Sequence, residues 1–296
     1  MKILLPIDGS EASDEAVRFV QMLAQTNSID VVVVTVSFDP SQYSIQPWIP
    51  EWTEQESNRV ERILDRAKKT LEPSCYSVEF VEGTGATVPF LLNLAAQSHY
   101  DLIVVGAKGH SAISRILLGS VSDSIASYAK SSVLVVRPSE DHVPTLNKIL
   151  VGYDKSVASR EAAAELMEWQ LDRGTDFTIL SVVQCPYIFV GEGYLAEPIS
   201  VTPSQVASVG ETAERMASQL ADRFPQTDSK TTVADHIGDA IVRAAEEEKV
   251  DLVVVGDTSH SLIGELLLGS TSKYVLRHAP CSVLISRHHT KMDESE

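Results

Sequence analysis

The sequence predicts an α/β protein of two tandem domains, each a parallel sheet covered by helices. Three observations predict this. A twenty-residue segment occurs twice, as DLIVVGAKGHSAISRILLGS at 101–120 and DLVVVGDTSHSLIGELLLGS at 251–270, with twelve identical positions and a constant offset of 150. Each copy opens on an apolar run, at 102–105 and 252–255, of the kind a strand buried on both faces requires. Along both halves, apolar runs alternate with amphipathic helical patterns, the order that produces βαβ units.

In the first half, residues 2–7 (KILLPI) form the first strand and Asp8-Gly9-Ser10 a turn. Ser10 or Ser13 caps a helix whose apolar face carries Ala16, Val17, Val20 and Leu23. Residues 29–36, almost continuously apolar and β-branched, form a central second strand. Residues 38–52, rich in proline and aromatics, read as a loop, and 53–71 as an amphipathic helix ended by Pro73. A third strand at 76–81 leads into a turn at Gly83-Thr84-Gly85. A helix at 90–97, the fourth strand, a helix at 121–128 and a fifth strand at 133–136 complete the domain.

The domain boundaries follow: a first domain at 1–138, a linker at 139–146, a second domain at 147–290 and a polar tail at 291–296. In the second domain strands are expected at 148–151, 177–183, 231–235, 252–255 and 283–286. Helices are expected at 159–171, 205–224 and 240–248, and a loop at 185–203.

Composition excludes several classes. A formal charge of −17 and a pI near 4.8 argue against nucleic acid and anionic membranes as partners. The same charge repels anions at long range, so any anion site must be built locally. The three cysteines, Cys75, Cys185 and Cys281, have neither metal nor redox spacing and suit a reducing cytoplasm. The chain opens without a signal-peptide pattern, and no apolar run approaches the ~18 residues of a membrane span. The expectation is a cytoplasmic protein.

Gly106-Ala107-Lys108-Gly109, then nine residues, then Gly119-Ser120 makes a G-x2-G-x9-G-[ST] pattern directly after a strand. Glycines there let main-chain amides approach a ligand, and Gly119-Ser120 would open a helix whose N-terminus favours anions. No acid lies between Gly106 and Ser120, whereas Lys108, His110 and Arg115 do. Asp8 ends the first strand, and Asp154 has the same place in the second half. Each is either a turn aspartate capping the next helix or an acceptor for a ribose or adenine. In open parallel sheets ligands sit beyond the strand C-terminal ends, which puts Asp8 and Gly106 on one rim.

The chain resembles the ATP-binding branch of the universal stress proteins, as a tandem member, over nearly its whole length. The resemblance implies two doubly wound, five-stranded parallel sheets, Rossmann-like and similar to the adenine nucleotide alpha hydrolases, with strand order 3-2-1-4-5. It implies ATP, with Mg²⁺ on the phosphates. Asp8 would meet the adenosine moiety, Pro6 and Val36 would line the adenine slot, Gly106, Gly109, Gly119 and Ser120 would face the phosphates, and Val105, Lys108 and Val121 would complete the nucleotide site. The matching second-half positions are Asp154, Gly256, Gly269 and Ser270.

The second copy departs from the pattern. Ser259 replaces the middle glycine, and Asp257 and Glu265 replace Ala107 and Arg115, so its loop gains negative charge. The first half is expected to bind ATP and the second weakly or not at all. The resemblance also implies pairing of the fifth strands, 133–136 with 283–286, as an intrachain pseudo-dimer, with a further homodimer left open.

Other motifs are set aside. His236-Ile-Gly-Asp239 is similar to the HxGH of nucleotidylyl transferases but follows the third strand rather than the first. There is no Walker loop, and His288-His289 lies near the end of the sequence. No catalytic residue is identified and no side chain stands out as a general base. Three functions remain: a nucleotide-gated switch or scaffold with unidentified protein partners, an interaction protein without nucleotide, and a slow ATPase.

Overall fold

The computed structural model describes residues 1–37, 50–108, 118–138, 143–185, 187–190, 195–198, 200–257 and 268–287. The chain divides into two compact units, with the division between Thr145 and Leu146.

The first unit runs β1 (Lys2–Pro6), α1 (Glu11–Ala24), β2 (Asp30–Ser37), α2 (Pro50–Leu71), β3 (Ser77–Thr84), α3 (Thr87–Gln97), β4 (Leu102–Gly106), α4 (Ser120–Tyr128) and β5 (Ser132–Val136). Its strands are parallel, in the order β3-β2-β1-β4-β5. The central strands bury nearly everything they carry, including Ile3, Leu4, Leu5, Ile103 and Val104. This is why they read as continuous apolar runs rather than alternating ones. The chain winds outward from β1 through β2 to β3, then returns to β4 on the other side of β1. The reversal leaves a crevice between the C-terminal ends of β1 and β4.

The second unit runs β6 (Lys148–Gly152), α5 (Val157–Glu168), β7 (Asp176–Gln184), β8 (Tyr187–Val190), β9 (Leu195–Pro198), α6 (Pro203–Ala221), β10 (Thr227–Ala234), α7 (Ile237–Glu248), β11 (Leu252–Gly256), α8 (Ser270–His278) and β12 (Ser282–Ser286). Its parallel strands follow the order β10-β7-β6-β11-β12, which repeats the first unit. Both units therefore have the strand order 3-2-1-4-5 that the resemblance implied.

Helix starts follow the sequence. Ser10 caps α1 by accepting from the Ser13 amide at 3.2 Å, and Ser156 caps α5 by accepting from Ser159 at 3.1 Å. Thr202 and Gln205 form a reciprocal capping box on α6. His236 caps α7 through Nδ1, which accepts from the Asp239 amide at 3.0 Å, so the HxGH-like residues begin a helix. The acid that opens each repeated segment ties neighbouring strands: Asp101 accepts from the Lys2 amide at 2.7 Å, and Asp251 from the Lys148 amide at 3.0 Å.

Several expectations change. Gly83 and Thr84 belong to β3, paired with Val36 and Ser37, and only Gly85, at φ +103°, makes the turn. A Cβ on Gly83 would lie 2.6 Å from the Phe90 ring, so this glycine makes room for α3 rather than bending the chain. The expected loop at 185–203 contains the antiparallel pair β8–β9. The polar third strand of the second unit begins at Thr227, four residues before its expected start, and forms an edge that exposes Asp228, Lys230 and Val233. Of the expected loop at 38–52, residues 38–49 lie outside the described residues, as do the tail and His288-His289; α2 begins at Pro50.

Candidate functional site

In the first unit the chain leaves β1 at Pro6, and the Ile7 amide still bonds the Val34 carbonyl at 2.8 Å. The turn that follows is tightly held. Asp8 Oδ1 accepts from the Ser10 amide at 2.9 Å, and Gly9 sits at φ +78°. Helix α2 grips the turn from outside, with Arg59 Nη1 donating to the Asp8 carbonyl at 3.0 Å. Arg59 is itself held by Glu56 at 2.7 Å, and the hydrogen bond between them raises the arginine's pKa and lowers the glutamate's.

Across the crevice β4 ends at Gly106. The Ala107 amide bonds the Val136 carbonyl at 2.8 Å, and the Gly119 amide returns to the Ala107 carbonyl at 2.7 Å. Gly119 is the N-cap of α4 and has no side chain to fold back on the helix amides. The first amides of α4 therefore keep donor capacity on the side that faces the crevice residues. Ser122 Oγ donates to the Gly106 carbonyl at 2.6 Å, which ties the helix start to the strand end.

Between these walls lies a cavity of about 250 Å³. It brings together Pro6, Asp8, Val36, Val105, Gly106, Lys108, Gly119, Ser120 and Val121, nine of the sequence-selected residues. Gly109 lies outside the described residues, with His110 and Arg115. The lining also includes Ile7, Ser10, Ser13, Val34, Thr87, Leu91 and Ser122, which sequence reasoning did not select. A signal existed for some of them. Val34 lies two residues from Val36 on the same face of β2, whereas Thr87 precedes the helix expected at 90–97 and joins Leu91 on one face only because α3 begins at Thr87.

Gly106 has a structural duty as well. A Cβ there would lie 2.5 Å from the Ala12 carbonyl carbon, so the glycine is required for β4 to pass under α1. Gly256 stands in the same relation to Ala158, at 2.5 Å.

The second unit has a smaller cavity, about 140 Å³, at the matching place. Asp154 and Gly256 line it, whereas Gly269 and Ser270 open α8 beside it without joining the lining. Burial opposes ionisation of Asp154, yet hydrogen bonds from Ser156 and Ser159 outweigh it and hold the carboxyl below its usual range. Asp257, read as an acid on the phosphate loop, is instead buried and bonded to Arg287 at 2.7 Å. Its charge is matched by the guanidinium and does not project toward a ligand. Ser259, His260, Ser261 and Glu265 lie outside the described residues.

A cavity at the winding reversal, with a carboxylate at one end and an uncapped helix N-terminus at the other, can hold a ligand with a hydroxylated middle and an anionic tail. Among the described residues no group of three or more His, Cys, Asp or Glu side chains could hold a metal ion, and no helix is long and apolar enough to cross a membrane.

The family model of the universal stress protein family matches residues 1–137 and 145–287. A universal stress protein of Mycolicibacterium smegmatis is 28% identical over 298 residues, with 96% of each chain covered. One of Mycobacterium tuberculosis is 26% identical over 302 residues, again with 96% of each covered. The crystal structure of a universal stress protein from Archaeoglobus fulgidus shares the fold at a TM-score of 0.71 and 19% identity, covering 97% of this chain and 98% of that one. The repeated segment, the doubled 3-2-1-4-5 sheet and these matches lead to one conclusion: the chain belongs to the universal stress protein family, with two of the family's domains in one polypeptide.

Proposed function

We propose that the first unit binds ATP, with Mg²⁺ carried on its phosphates, and that the protein works as a nucleotide-dependent switch or scaffold. One observation carries the reading: Asp8, Val36 and the N-terminus of α4 line one cavity at the winding reversal. In this reading the second carboxylate oxygen of Asp8 receives a ribose or adenine donor. Pro6 and Val36 flank the base. The amides after Gly119, the Ser120 hydroxyl and Lys108 meet the phosphates, beside Val105, Gly106 and Val121. Short-range donors of this kind hold an anion on a chain of charge −17. The ion's oxygen ligands come mainly from the nucleotide and water, as Mg²⁺ ordinarily prefers.

The rest of the proposal concerns organisation. The domains span 1–138 and 147–290, joined by 139–146 and followed by a tail at 291–296. The fifth strands, 133–136 and 283–286, pair within the chain, and protein partners read the nucleotide state in the cytoplasm. Nothing in this cycle requires hydrolysis, so phosphate release, if any, is slow.

A second reading, an interaction protein without nucleotide, is favoured by two contacts. Asp8 already serves its own turn through Ser10, and Gly106 is already required by Ala12. Neither residue needs a ligand to account for it. Denaturing the purified protein and chromatographing the supernatant separates the two readings. Close to one adenine nucleotide per chain supports the first. No nucleotide, together with no heat on titration with millimolar Mg-ATP, AMP or cyclic nucleotide, establishes the second.

A further inference from the structure

We infer that the second unit is closed to the nucleotide by Leu180, Ile237 and Ile241, which line the β7 and α7 side of its pocket. These three residues are then specificity-determining. The inference rests on the reading of the first unit as an adenine-nucleotide site.

The two pockets match position by position. In the first, Pro6 of β1 pairs with Val34, and α3 presents Thr87, its first residue, and Leu91, its fifth. In the second, Gly152 of β6 pairs with Leu180, and α7 presents Ile237 and Ile241 at the same two places. Val34 to Leu180 adds a methylene, and Thr87 to Ile237 adds bulk while removing a hydroxyl. The space freed by Gly152 is already taken: a Cβ there would lie 3.3 Å from Ile241 Cδ1 and 3.3 Å from Val255 Cγ1. These exchanges accompany the fall in cavity volume from about 250 to about 140 Å³.

The wall is also fastened in a way the first unit lacks. His236 caps α7, and its ring lies 4.3 Å from that of Tyr274 on α8, which in turn lies 4.2 Å from His278. The Tyr274 hydroxyl donates to Asp239 at 3.2 Å, and Asp239 also holds Arg243 at 2.8 Å. Gly238 fits beneath the Tyr274 ring, where a Cβ would come within 2.8 Å. Ile237 is thus clamped between a capped residue and a stacked one. Helix α3 starts after Ala86, which has no capping side chain. Loop charge is the weaker explanation, since Asp257 is matched by Arg287.

The test counts Mg-ATP sites by calorimetric titration of the intact chain. Wild type is expected to take one equivalent, and Leu180→Val/Ile237→Thr/Ile241→Leu two. The reciprocal Val34→Leu/Thr87→Ile is expected to weaken the first site by at least about tenfold, the scale of a methylene misfit in a fitted pocket, with an unchanged melting temperature. The inference is read from the difference between variant and wild type, and the reading of the first unit from wild type alone. Wild type taking none removes that reading, while the triple variant gaining a site still upholds the inference. A triple variant that folds and gains nothing overturns the inference. So does wild type taking two, or Asp257→Ala gaining the site that the triple variant does not. Should the triple variant fail to fold, unchanged affinity in the reciprocal variant overturns it.

Discussion

Gly106 lies so close to Ala12 that a β-carbon on the glycine would come within 2.5 Å of the alanine's carbonyl carbon and oxygen. The atoms it would meet are backbone, not a flexible side-chain end, so α1 and β4 would have to separate. The glycine that ends β4 is therefore a packing requirement before it is a ligand contact.

Gly106→Ala is expected to destabilise the first unit by about 2–3 kcal/mol, the upper part of the range for overpacking. Gly256→Ala should do the same to the second unit through Ala158. Denaturant unfolding with a probe for each unit checks both. A Gly106→Ala protein of wild-type stability would contradict the packing argument.

Asp257 and Arg287 form a buried ion pair, with side chains only 3% and 1% exposed. Removing one partner leaves a desolvated charge, so Asp257→Ala should cost about 3–5 kcal/mol. Asp257→Ala/Arg287→Met should recover most of that loss, because no desolvated charge is then left without its partner. A double-mutant cycle in urea measures the coupling, and additive losses would count against it.

Asp154 gives a pH dependence of known sign. Its folded pKa is lowered, despite burial, by hydrogen bonds from Ser156 and Ser159. Its contribution is therefore fully present above the ordinary aspartate value of about 3.9 and is lost as pH falls through the lower folded value. Asp154→Asn should melt below wild type at neutral pH, and the gap should close on acidification below about pH 4. A gap that stays constant to the acid limit would contradict the assignment.

Much of the fold was legible because the central strands are buried on both faces, so residues such as 29–36 and 102–105 stand out as apolar runs. The repeat supplied the domain count. What was not legible depended on partners distant in sequence. Asp257 looks like a loop acid until Arg287, thirty positions later, is placed beside it. Gly83 looks like a turn until Phe90 is seen to need its space. The β8–β9 pair lacked a clear turn signal beyond its glycines. At the site, motif positions such as Asp8 and Gly119 were visible. Thr87 and Leu91 were not, because a helix face declares what it packs against only once the sheet beneath it is in place.

The central claim is that the N-terminus of α4, left uncapped by Gly119, receives the phosphates of a nucleotide in the first unit. Gly119 has φ −68°, so another residue fits there without strain, and an aspartate would cap the helix while placing negative charge where the phosphates belong. The measurement is a calorimetric titration of the intact chain with Mg-ATP, comparing Gly119→Asp with Gly269→Asp. The prediction is one site per chain, abolished in Gly119→Asp at undiminished thermal stability and retained in Gly269→Asp. Undiminished binding in Gly119→Asp, or loss only in Gly269→Asp, would contradict the account.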